Sequence, residues 1–114
     1  MKPIKKYEIF LEDRQLGKSL VDQTKNEYVV IYRACKKDIN EFYDMDYITL
    51  SKKFAIEHAE NNHAYHEEPY HVIRAYVKTL YVYDAYNPGE YFYHGTNKKG
   101  IEIYTSKGDE YEME

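Results

Sequence analysis

The segment Tyr28-Val29-Val30-Ile31-Tyr32-Arg33-Ala34-Cys35 constrains this chain more tightly than any other. It is β-branched and aromatic, too short for a typical helix, and closed by Lys36-Lys37-Asp38, so it reads as a buried strand. Its apolar run stops at a cation, Arg33. More β character follows: Val72-Ile73-Arg74-Ala75-Tyr76-Val77 alternates, Leu80-Tyr81-Val82-Tyr83 continues it, Asn87-Pro88-Gly89 signals a turn, and Glu90-Tyr91-Phe92-Tyr93 resumes a strand. A last strand is predicted at Ile101-Glu102-Ile103-Tyr104-Thr105.

Two helical segments stand between or before these strands. Leu16, Leu20 and Val21 have the spacing of a short amphipathic helix over residues 13–24, weakened by Gly17. After the short apolar stretch Tyr47-Ile48-Thr49-Leu50, Ser51 has the chemistry of an N-cap for a helix reaching Asn62, with Phe54, Ala55, His58 and Ala59 on one face. Residues 36–46 have little periodicity and read as a loop or an irregular turn of helix, and the acidic residues Asp109, Glu110, Glu112 and Glu114 read as a solvated tail. The expected fold class is α+β, a single domain spanning residues 1–114.

Composition excludes several classes. At 114 residues, 43% hydrophobic and 32% charged, the chain has globular character. It carries no apolar run near the roughly 18 to 20 residues that cross a bilayer, and its Lys-rich start leads into Tyr7-Glu8, so no membrane association and a cytoplasmic location are expected. A net charge of −4 argues against strong duplex nucleic-acid binding, which needs clustered cations. Cys35 stands alone and forms no internal disulfide. Fifteen tyrosines and no tryptophan suit half-buried strands, interfaces and ring stacking equally.

Three groups at strand edges could carry chemistry: Arg33, the Thr49-Leu50-Ser51 triplet, and Glu90. Strand alternation places Thr49 and Ser51 on one face with Leu50 toward the core. A guanidinium can grip a phosphate in bidentate fashion, hydroxyls can orient it, and a carboxylate can offset positive charge developing on a ribose. Each also has a structural role open to it: Arg33 can pair with Asp38, Asp44 or Asp46, Ser51 can cap its helix, and Glu90 can be an exposed turn residue. His58, His63, His66 and His71 are interleaved with glutamates, but their spacings match no common helical metal motif, and no metal is expected. Cys35 ending a buried strand reads as packing. Tyr81, Tyr83, Tyr91 and Tyr93 could stack a nicotinamide or nucleobase, with sheet-face packing as the plainer role.

The order Ile31-Tyr32-Arg33-Ala34, then Asp46-Tyr47-Ile48-Thr49-Leu50-Ser51 with Phe54-Ala55 and His58-Ala59, then residues 72–77, then Glu90-Tyr91-Phe92-Tyr93, resembles ADP-ribosyltransferase-type domains, in particular small versions from bacteriophages and prophages. The resemblance covers residues 29–94. It implies two small packed, mostly antiparallel sheets with one or two short helices and NAD, as substrate, between the sheets. It also implies Glu90 as the catalytic carboxylate, Arg33, Ala34, Thr49, Ser51 and Phe54 around the cofactor, and a host macromolecule as acceptor. Pro88 stands where many members carry glutamate or glutamine, and Met45 where glycine is common. The alternative expectation is a non-catalytic, acidic, tyrosine-rich protein, phage-encoded, that binds and inhibits a host factor such as a defence protein.

Overall fold

The computed structural model describes residues 19–108. Strand β1 (Tyr28–Lys36) runs through the middle of a six-stranded sheet. β3 (Asp46–Thr49) lies on one side of it and β4 (Tyr70–Lys78) on the other, with β6 (Glu90–Tyr93) and β5 (Val82–Asp84) beyond β3 and β8 (Ile101–Thr105) beyond β4. All of these pairings are antiparallel. β2 (Glu41–Phe42) and β7 (Lys98–Lys99) form a separate two-stranded ribbon. Among the described residues a single α-helix, α1 (Lys52–His66), connects β3 to β4. The architecture is α+β with a mostly antiparallel sheet, but the strands divide into one large sheet and a small ribbon instead of two comparable sheets.

Alternation along β1 and β4 sorts the core into two layers. Ile31 and Cys35, with Ile73, Ala75 and Val77 opposite, face one side and pack with Phe42 of the ribbon, Val82 and Tyr93. Tyr32, Ala34 and Val72 face the other side, where Ala55 and Ala59 of α1 settle onto them. Two alanines at this contact let the helix backbone approach the sheet closely. The Ser51 hydroxyl caps α1, accepting from the Phe54 amide at 3.1 Å. The helix runs one turn past the predicted end and stops at Glu67, whose backbone is left-handed with φ 57°.

Several sequence expectations need adjustment. Residues 13–18 of the first predicted helix lie outside the described residues, as does the acidic tail; within the described part Leu20–Asp22 is a 3-10 turn capped by Ser19. Leu20 is buried there while Val21 is exposed. The predicted loop at residues 36–46 contains β2, which exists only through its pairing with Lys98–Lys99. The predicted strand at residues 80–83 opens as a 3-10 turn, Thr79–Tyr81, before β5. The turn before β6 is as expected, with Gly89 at φ 85°.

The far end of the sheet is stitched to the helix and to the loop after β1. Glu60 of α1 accepts hydrogen bonds from the Tyr104 hydroxyl, from the Lys107 amide at 3.0 Å and from the Gly108 amide at 3.2 Å. Burial pushes the Glu60 carboxyl up, but these bonds together outweigh it and hold it below its ordinary range. Gly108 has φ 62°, and a Cβ there would stand 2.4 Å from His63 Nε2, so the chain can pass the helix only as glycine. Among the described residues no helix is long and apolar enough to cross a membrane.

Candidate functional site

The pairing between β1 and β3 is unusually brief. β1 and β4 pair from Tyr28 opposite Lys78 to Lys36 opposite Tyr70, whereas β1 meets β3 at one position, Tyr32 opposite Thr49. Thr49 in turn lies opposite Glu90 of β6. Directly opposed residues share a face, so Tyr32, Thr49 and Glu90 form a row across three strands on the helix side. Beyond this row the two central strands part, and a cavity of about 290 Å³ occupies the parting. Its roof is the first half of α1, through Phe54, Ala55 and His58, and Ala34 and Tyr47 complete its walls.

Arg33 follows Tyr32 and so projects toward the opposite face, as does Asp46 on β3. Both nevertheless line the cavity, reaching it where the strands have parted. The Arg33 guanidinium lies 2.9 Å from the Asp46 carboxylate and donates through the same nitrogen, Nη1, to the Glu41 carbonyl at 3.2 Å. Of the partners open to Arg33, Asp46 is the one it meets. Its remaining N–H donors engage no other described residue. Glu90 is half-buried and accepts from the Asn87 side-chain amide at 3.2 Å.

Five of the six residues named from the sequence, Arg33, Ala34, Thr49, Phe54 and Glu90, therefore line one pocket. Ser51 does not. β3 ends at Thr49, and two residues on, the Ser51 hydroxyl caps the helix. The two residues remain neighbours, since the Ser51 amide donates to Thr49 Oγ1 at 3.1 Å. Thr49 is buried, and Leu50 packs on the main core as the pattern predicts.

The four tyrosines considered for ring stacking pack elsewhere. Tyr93 is fully buried and donates its hydroxyl to the Thr96 carbonyl at 2.5 Å, Tyr81 meets it edge-on, Tyr91 packs on the main core, and Tyr83 abuts His94. The rings at the pocket are Tyr32, Tyr47, Phe54 and His58, with His58 at 5.2 Å from Phe54. Nothing in spacing distinguishes Tyr32 and Tyr47 among fifteen tyrosines; only register selects them.

The histidines point to separate neighbours. His63 Nδ1 lies 2.5 Å from the Ser106 hydroxyl, His66 stacks on Tyr70, and His71 is buried between Glu102 and the Ile39 carbonyl. Among the described residues no three His, Cys, Asp or Glu side chains gather as a metal site would require. Cys35 is buried two residues along β1 from Arg33, and burial pushes its thiol up to about 11 despite the nearby guanidinium. That thiol is a packing group and a poor nucleophile.

Comparison with protein-family models, with curated proteins and with solved structures yields no match.

Proposed function

We propose that this chain is an ADP-ribosyltransferase-like protein of phage or prophage type that binds NAD at the β1–β3 parting and transfers ADP-ribose to a host macromolecule. The observation that carries this reading is the meeting of Arg33, Thr49 and Glu90, from three strands far apart in sequence, around one pocket. A second observation supports it. Met45, where the resembling domains commonly carry glycine, has a left-handed backbone with φ 71°, the conformation glycine adopts at least cost.

At about 290 Å³ the cavity lies at the low end of the range for small-molecule sites, and it suits one end of a dinucleotide with the remainder across its mouth. The nicotinamide ribose would occupy the row of Thr49 and Glu90. Cleavage of the glycosidic bond sends its electron pair to the departing nicotinamide and leaves an oxocarbenium-like ribose, whose charge Glu90 offsets. The acceptor's lone pair then forms the new bond to the ribose carbon as its proton leaves to solvent; water as acceptor yields free ADP-ribose. Arg33 would hold a diphosphate oxygen through the donors not engaged by Asp46.

The test is direct. NAD at millimolar concentration raises the melting temperature, as a ligand of the native state must. Glu90→Gln abolishes nicotinamide release while the fold is retained. Unchanged NAD consumption by Glu90→Gln would remove Glu90 from the mechanism.

One observation favours the second reading, an acidic interaction protein: Arg33 already has a carboxylate partner in Asp46, so its charge is balanced without any ligand. That reading expects no thermal response to NAD, and binding to a basic host factor that weakens as salt rises.

A further inference from the structure

We infer that the pocket at the β1–β3 parting selects an organic cation, a quaternary or pyridinium-type head, over an anion. Its walls are aromatic on three sides, with Tyr32 from β1, Tyr47 from β3 and Phe54 from α1. Ring faces carry negative potential and attract a cation held near them, most strongly where water is excluded. The charged groups point the same way. Arg33 is the one cation of the lining and is ion-paired with Asp46 at 2.9 Å. Glu90 is the second carboxylate, and its hydrogen-bond partner is the neutral Asn87 amide. Among the described residues Glu90 has no cationic partner, so the pocket combines aromatic walls with one unbalanced negative charge. A phosphate entering it would meet the Glu90 carboxylate beside an Arg33 whose charge Asp46 already balances, whereas a cation completes the pairing of Glu90.

The inference rests on the pocket of the transferase reading and not on its chemistry. The pyridinium of NAD is one member of the class; methylated ammonium groups are another.

Isothermal titration of the full chain with matched probes decides it. Choline is compared with its uncharged carbon isostere 3,3-dimethylbutanol, 1-methylnicotinamide with nicotinamide, and pyrophosphate serves as the anion. Each cation binds about fivefold or more tightly than its neutral partner, and Glu90→Gln removes that advantage. Phe54→Leu keeps an apolar roof without a ring and weakens both cations. Equal affinity for cation and isostere, absence of cation binding, or tighter binding of pyrophosphate would overturn the inference. Should a variant not fold, the wild-type comparison alone decides. Cation selectivity without NAD consumption removes the transferase reading and leaves this inference standing; NAD consumption without cation selectivity does the reverse.

Discussion

Acid should loosen the far end of the sheet, and the reason is one carboxylate. Glu102 of β8 accepts from His71 Nδ1 at 2.7 Å, from Lys37 Nζ at 3.0 Å and from the Thr105 hydroxyl at 2.9 Å. His71 is 1% exposed, and its other nitrogen lies 2.7 Å from the Ile39 carbonyl, so both ring nitrogens face oxygen partners. β4, β8 and the loop after β1 thus converge on Glu102. The hydrogen bond from His71, followed by those from Lys37 and Thr105, lowers the Glu102 carboxyl from 4.5 to about 2.

A native pKa below the unfolded one means the folded state prefers the carboxylate. The stabilisation is complete above about pH 4.5 and is lost as pH falls toward about 2. At about 1.4 kcal/mol per pKa unit the ceiling is about 3 kcal/mol, but the Glu102 side chain is 44% exposed, and screening reduces the contribution to on the order of 1 kcal/mol. Urea unfolding of the wild type and Glu102→Gln at several pH values between 7 and 2.5 measures it. The two curves differ by about 1 kcal/mol at neutral pH and converge in acid. A gap that stays constant over that interval would refute the linkage.

Ser51→Ala costs about 1 kcal/mol in urea unfolding through loss of the cap on Phe54, while ligand affinity at the pocket stays near the wild-type value. A large loss of affinity with little loss of stability would return Ser51 to the site. Cys35, buried with its thiol raised to about 11, resists a thiol reagent at pH 8 in the native protein and reacts promptly in urea; fast native labelling would show that the ribbon side of the sheet opens.

Strands with strong periodicity were readable because burial on one or both faces writes itself into residue order. Residues 28–35, 72–77, 90–93 and 101–105 each fall within an observed strand. The ribbon of Glu41–Phe42 with Lys98–Lys99 was not readable, since two-residue strands carry no period and depend on a partner distant in sequence. Helix α1 was located by its Ser51 cap, but its end depended on Glu67 entering the left-handed region, which glycine would have signalled and glutamate does not. Residue type singled out Arg33, Thr49 and Glu90, which the structure places on one pocket. Ser51 lies two residues past the end of β3, where strand alternation no longer fixes the direction of its side chain, and its hydroxyl caps α1.

By itself, then, the order of residues determined the strongly periodic strands, the start of α1, the apolar faces and the presence of a guanidinium, a hydroxyl and a carboxylate at strand edges. Only the tertiary structure decided that β1 and β3 touch at Tyr32 and Thr49 and then part, that the parting makes a pocket, and that Arg33 enters it already joined to Asp46. Periodicity reports which side of a strand is buried. It carries no information on which neighbour the strand pairs with or for how long, and that register is what brings Tyr32, Thr49 and Glu90 into one row.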